Sequence, residues 1–257
     1  MPLQLPSYMG TSGNISSVLA APYGNYGTIR NTGLELTVNA HPLTGAFQWD
    51  SEFQISWNKN KLVALSGTKN AAIVGYGQWN DVISVSNVGE SLYSFYGFVT
   101  DGVYKDLADL ETSPKTSKYP ADGKSFDRNT TPWIGDLKFK DISGPDGKPD
   151  GVIDDYDKTN IGSPMPKFTF GWTNTFRYKN FDISLQMNGA FGHKIFNGTA
   201  LSYLNMSNFP DYNVLAEAPG RNIVDQNVTD YWLERGDYLN FDYLAICWNA
   251  PVRSRYI

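Results

Sequence analysis

PKFTFGWTNTFRYKNFDISLQMNGAFG, running from Pro166 to Gly192, is the stretch on which the fold turns. From Phe168 to Tyr178 the large apolar side chains take every second place (Phe168, Phe170, Trp172, Phe176, Tyr178), and only Asn174 breaks their series. Lys167, Thr169, Gly171, Thr173, Thr175 and Arg177 fall between them. After Lys179-Asn180 the alternation resumes, with Phe181, Ile183, Leu185, Met187 and Gly189 set against Asp182, Ser184, Gln186 and Asn188. Successive strand side chains point to opposite faces, so the stretch predicts an antiparallel hairpin with one greasy and one wet face. Lys-Asn is a two-residue turn, and its positive φ is expected at Asn180. Each arm, at roughly 10–12 residues, exceeds the usual ~5–6 of a globular strand and approaches the ~9–11 that cross a bilayer at a tilt. That length points to a membrane barrel. A soluble β-sandwich, whose strands alternate in the same way, is the competing reading.

The same design recurs on either side. Leu34, Leu36, Val38 and Ala40 alternate with Glu35, Thr37 and Asn39; residues 41–46, punctuated by Pro42 and Gly45, read as a turn. Phe47, Trp49, Phe53, Ile55 and Trp57 then alternate with Gln48, Asp50, Glu52, Gln54 and Ser56. A last strand is expected over 237–248, stopped by Asn249-Ala250-Pro251. Residues 1–27, rich in Pro, Gly, Ser and Asn, read as loop. Between the hairpins, 58–163 and 192–235 lose regularity, with short strand-like pieces at 61–65, 94–104 and 136–140.

Transmembrane barrels alternate short periplasmic turns with long outer loops. Placing 41–46 and Lys179-Asn180 inside sends the two irregular stretches outside and leaves five spanning strands. A sixth span at 94–104 would force the tight Lys179-Asn180 turn outward, so that piece is expected to be a strand within the outer region. The layout sets Trp49, Tyr178, Phe181 and Trp248 near one water boundary and Trp57, Phe168 and Phe191 near the other, as two aromatic girdles require. The expected class is therefore all-β: a partial antiparallel transmembrane β-barrel of about five long strands, with long extracellular loops.

The totals narrow the function. The 257 residues carry 24 Gly, 16 Tyr, 14 Phe and 7 Trp, a composition of strands and turns. A net charge of −5 argues against nucleic acid, which calls for a basic face. Cys247 is the only cysteine, so no intramolecular disulfide or thiolate metal cluster forms. No apolar run reaches the ~18–20 residues of a spanning helix, which leaves barrel strands untouched. MPLQLPSYMG is not a secretory signal, so an exported protein would begin elsewhere.

One candidate site stands out. Asp146, Asp150, Asp154 and Asp157 occupy positions 1, 5, 9 and 12 of a calcium loop, with Gly151 at the sharp-turn position and Val152 offering its carbonyl. Lys148 at position 3 removes a ligand, and Asp at position 12 suits bidentate binding less than Glu. The competing reading is a turn stapled by side-chain-to-backbone hydrogen bonds. Ca2+ is thus the one cofactor considered. Catalytic motifs are missing: there is no Gly-x-Ser-x-Gly elbow, P-loop or His-Glu-x-x-His, and His41 (expected in a turn) and His193 (expected after a strand) are isolated in sequence. An enzyme is not expected. Tyr76, Trp79, Trp133, Tyr203 and Trp232 offer loop aromatics for stacking on sugar rings or a partner, or for packing the loops themselves.

The run GDLKFKDISGPDGKPDGVIDDYDKTNIGSPMPKFTFGWTNTFRYKNFDISLQMNGAFG, residues 135–192, resembles the C-terminal part of the SusC/RagA-like TonB-dependent outer-membrane transporters of Bacteroidetes. The family pattern G-D-I-K-[FY]-K-D-x-N-G-D-G-x-I-D-x-x-D-x-x-x-I-G-x-P-x-P-x-F-x-[FY]-G is followed there by a strand and a Y-K-x-F-D-like turn. IRNTGLELTVNA, FQWDSEFQISWNKNKLVALSG, SFYGFVTDGVYKD and YWLERGDYLNFDYLAICWNAP agree with it, so the similarity covers nearly the whole chain. SGPDGKPDG stands where the family most often has NGDG. The resemblance implies that residues 1–257 are a C-terminal portion of a ~22-stranded barrel, with 58–165 as a long extracellular loop region. It also implies a plug, a TonB-contacting segment and final strands outside these residues. By the same resemblance the function is energised import of an oligosaccharide or peptide across the Gram-negative outer membrane. A SusD-like surface lipoprotein would act as lid, and the TonB complex would engage through the missing N-terminal region. A soluble glycan-binding module, calcium-stabilised, is the alternative. Five strands alone enclose nothing, and their edges need partners in lipid.

Overall fold

The computed structural model describes residues 3–4, 23–24, 27–65, 72–77, 82–127, 131–207 and 209–250. The chain divides into two compact units: Met1–Arg30, Asn60–Ser163 and Phe196–Glu234 form the first, and Asn31–Lys59, Pro164–Ile195 and Arg235–Ile257 the second.

The second unit is built on five long strands: β1 (Gly27–Thr44), β2 (Phe47–Leu65), β3 (Phe168–Tyr178), β4 (Phe181–Phe191) and β5 (Tyr238–Trp248). They hydrogen-bond in the order β5-β4-β3-β2-β1. The β3–β4 hairpin matches its expected bounds, and all 11 residues of each arm pair, from Phe168↔Phe191 to Tyr178↔Phe181. Its positive φ falls on Lys179 (52°) rather than on Asn180. The first hairpin is longer than expected, with strands of 18 and 19 residues. Only Gly45 and Ala46 separate them, so residues 41–44 and 61–65 belong to strands and not to turn or loop. Pro42 sits on β1, the edge of this sheet, and proline within sheets is confined to edge strands, strand starts and bulges.

Register sorts the side chains into rows. Phe47, Tyr178, Phe181 and Trp248 form one; Trp49, Phe176, Ile183 and Ile246 the next; then Ser51, Asn174, Leu185 and Leu244, and beyond them Phe53, Trp172, Met187 and Phe241. Gly189 sits further along this face, where an added Cβ would meet Phe170 at 2.7 Å, the Tyr238 carbonyl at 2.8 Å and Phe191 at 2.9 Å. The missing side chain lets the Phe170 and Phe191 rings stack at 6.0 Å, which re-covers the gap with aromatic surface. Between Gln186 and Met187 the β4–β5 register shifts by a bulge, which leaves Asp242 unpaired in the ladder.

The first unit carries short strands where the sequence showed irregularity. Ala72–Tyr76, Val82–Asn87, Ser94–Gly97 and Thr159–Gly162 form a four-stranded antiparallel sheet. Thr100–Val103 pairs with Leu137–Phe139. The expected piece at 94–104 is thus two short strands lying within this unit. Phe98, Leu137, Phe139, Ile153, Leu201, Ile223 and Trp232 form its buried core. Leu3–Gln4 pairs with Tyr23–Gly24 inside the stretch expected to be loop. Among the described residues no helix is long and apolar enough to cross a membrane, which says nothing of strands.

Candidate functional site: a two-faced wall and an aspartate-stapled loop

The apolar face of the five-stranded sheet is exposed. Leu34, Leu36, Leu239, Phe241, Leu244 and Ile246 are each at least half exposed, with Leu244 at 64%. Trp172 remains 36% exposed, and Phe53 and Ile183 are half-buried, so among the described residues this face lacks the dry interior that a sandwich core requires. Eleven residues at ~3.3 Å each, tilted by ~45°, stand about 25 Å tall, the height of the apolar band of an outer-membrane barrel. The row Phe47–Tyr178–Phe181–Trp248 rims one end of it. Trp49, expected in that rim, lies one row further in and stacks on Phe176 at 5.9 Å.

Asn174 interrupts the apolar series yet is only 2% exposed. Trp49 Nε1 donates to its Oδ1 at 3.0 Å, and one step away Trp172 Nε1 donates to Ser51 Oγ at 2.9 Å. The side-chain oxygens of the opposed pair Ser51–Asn174 thus each accept from an indole, which offsets part of the cost of polar atoms on an apolar face.

The opposite face is wet. Asp50 accepts from His41 Nδ1 at 2.6 Å and from Arg177 at 2.5 Å, so His41 serves a cross-strand polar cluster from within β1. The bulged Asp242 accepts from Asn188 Nδ2 at 2.6 and 2.7 Å and from Asn240 at 2.9 Å. Glu35, Glu52, Gln54, Thr173, Gln186 and Asn188 line a shallow concavity there. Cys247, opposite Asp182, is a free thiol on this face, and His193 lies just past β4, its ring edge-on to Tyr238.

In the candidate calcium loop the carboxylates are engaged with backbone. Asp157, fully buried, accepts from the N–H groups of Ile142 (2.6 Å), Ser143 (3.1 Å) and Asp154 (2.9 Å). Asp154 caps Tyr156 at 2.8 Å, and Asp150 accepts from the Val152 N–H at 3.0 Å. Asp141, which precedes the twelve-residue calcium spacing, accepts from the Gly151 N–H at 2.6 Å, while Asp146 is exposed. Among the described residues no three His, Cys, Asp or Glu side chains are grouped to hold a metal. These are the side-chain-to-backbone bonds that a stapled turn calls for. Asp157→Asn, which keeps one acceptor oxygen of two, is expected to cost about 1–3 kcal/mol through the buried N–H it strands. Hydrogen exchange at the amides of 142, 143 and 154 measures it. An equal cost with and without added calcium supports the staple, whereas a cost seen only with calcium assigns the loop to the cation.

The loop aromatics divide. Tyr76 (63%) and Tyr203 (49%) are exposed, Trp133 packs on Phe126 at 5.1 Å, and Trp232, 2% exposed, is core and unavailable for stacking. Trp79 lies outside the described residues. Nothing in the sequence marks the buried acids Asp136 and Asp225 as a pair. They lie 89 residues apart, and no local spacing signals that they meet.

A single antiparallel sheet with one exposed apolar face, an aromatic rim and one polar face is a section of a β-barrel wall. No family model matches the chain. Its homologues are TonB-dependent receptors. It is 29% identical over 97% of its length to TonB-dependent receptor P3 of Formosa agariphila, and 26% identical over 86% to TonB-dependent receptor SusC of Bacteroides thetaiotaomicron. It spans 24% of the length of the first relative and 20% of the second. Among solved structures, the RagAB peptide transporter aligns with 89% of this chain and 23% of its own, at a TM-score of 0.63 and 14% identity, a likeness of fold. The same importer in its open-open state aligns at 0.54 over 96% of this chain.

Proposed function

We propose that residues 1–257 are part of the C-terminal barrel portion of a TonB-dependent active importer in a Gram-negative outer membrane, and that they transport and do not catalyse. The observation that carries this reading is the exposed apolar face of β1–β5, bounded by an aromatic row and backed by a polar face, in a chain whose homologues are TonB-dependent receptors. Both short turns, Gly45-Ala46 and Lys179-Asn180, lie at one end of the sheet, since Tyr178 pairs with both Phe47 and Phe181. Barrel convention puts that end in the periplasm and the long connections outside, so residues 58–165 form an extracellular region. The cargo class is an oligosaccharide or a peptide. A SusD-like lipoprotein partners the barrel at the surface, and the TonB complex energises it from segments outside these residues.

Uptake by cells carrying the longer protein tests this. Labelled oligosaccharide or peptide pools are expected to accumulate, and a protonophore is expected to stop accumulation. Uptake that survives collapse of the proton gradient would instead describe a passive porin-like wall. No uptake, with the protein recovered detergent-free and monomeric, would favour a soluble module.

A further inference from the structure

Two carboxylates of the first unit share one small recess. Asp136 is 3% exposed and Asp225 7%, and Thr116, Lys118, Pro132 and Val224 line the space with them. One oxygen, Asp136 Oδ1, accepts from the N–H groups of Leu137 (2.9 Å), Val224 (3.1 Å) and Asp225 (3.1 Å). It thereby ties the strand Leu137–Phe139 to a segment 88 residues further on. Asn222 Nδ2 donates across the same seam to the Ile134 carbonyl at 2.6 Å. The Asp225 carboxylate accepts from the Asn227 N–H at 2.7 Å and from its side-chain amide at 3.0 Å.

The groups that face this pair are few. The Tyr104 phenol, 2% exposed, is held neutral chiefly by burial, and Asp109 and Tyr119 act on it in turn. Lys118 acts on Asp225. None of the ion pairs among the described residues involves Asp136 or Asp225. Burial foremost, and then the neighbouring Asp225, push Asp136 up to about 6, with its three N–H donors pulling the other way. Burial also raises Asp225, against Asn227 and Lys118.

We propose that Asp136 and Asp225 form a proton-operated clamp: with the pair holding a proton, residues 222–225 are fastened to the Leu137–Phe139 strand, and with both ionised their repulsion in a dry recess loosens that joint. The direction follows from linkage. An acid whose folded pKa lies above its unfolded value makes the folded form bind more protons, so stability falls as pH rises from about 4 through 6 and then levels off.

Hydrogen exchange of the protein in detergent, corrected for intrinsic rates, tests the clamp. Protection of the Val224 and Asp225 amides is expected to drop roughly 10- to 30-fold between about pH 4.5 and 7.5 in the wild type. It is expected to stay level in Asp136→Asn/Asp225→Asn, which keeps the single accepting oxygen of Asp136 and one of the two that Asp225 uses. The Leu62 amide, bonded to the Glu90 carbonyl at 2.9 Å in the same unit, should not follow. A flat wild-type profile, a slope that persists in the double variant, or an equal drop at Leu62 would each overturn it.

Discussion

Leu244→Arg is expected to cost the barrel about 2–4 kcal/mol, the penalty of a cation near the bilayer midplane on a lipid-facing strand. Leu244 shares a row with Leu185, Asn174 and Ser51, about midway between the Phe181 and Phe191 ends of β4, and it is 64% exposed. Ile183 is a poorer probe because it lies one row from the aromatic rim, where the penalty falls off. Gln186→Arg, one residue along from Leu185 but on the wet face, serves as the control and should change stability little. Urea titration of the longer protein folded into phospholipid vesicles reads both. Equal costs would mean that the apolar face does not meet lipid.

Trp232→Ala is expected to be the most damaging change in the loop region, at about 3–5 kcal/mol. Trp232 is 2% exposed among Phe98, Leu137, Phe139, Ile153, Leu201 and Ile223, and its carbonyl accepts from the Asn197 N–H at 2.8 Å. Truncation leaves a cavity the size of an indole in a unit whose strands are only two to six residues long, apart from the start of β1 and the end of β2. The matched control is Tyr76→Ala, 63% exposed, which should stay within about 0.5 kcal/mol. Hydrogen-exchange protection at Phe98 and Asn197 separates the two. Similar small losses for both would mean that the region has no packed core.

The wall was legible because its period is two and its strands are long. Phe168 to Phe191 states its own register, since one greasy face over 11 residues permits no slip by one. The first hairpin was read short because Pro42 and Gly45 looked like the bounds of one wide turn. An edge strand accepts proline, and only Gly45-Ala46 turns. The loop unit was illegible for a different reason. Its core residues come from 98, 137–139, 153, 201, 223 and 232, and pieces so short carry no period that separates them from coil. For the same reason nothing in the sequence told Trp232, which packs in the core, from the loop aromatics that stay exposed, and Asp136 could not be matched to Asp225. The aspartate run was visible, but spacing alone does not distinguish oxygens that gather on a cation from oxygens that reach back to their own backbone, as Asp157 and Asp154 do.

Asn174 has a consequence for assembly. If β3 slid two residues against β2, every greasy side chain would still meet lipid, so hydrophobicity alone cannot veto that misalignment. The slide would, however, set the amide against Trp49 or Phe53 instead of Ser51 and strand polar atoms in hydrocarbon, where each costs several kcal/mol. A single asparagine thereby acts as a notch that lets neighbouring staves seat in one alignment only.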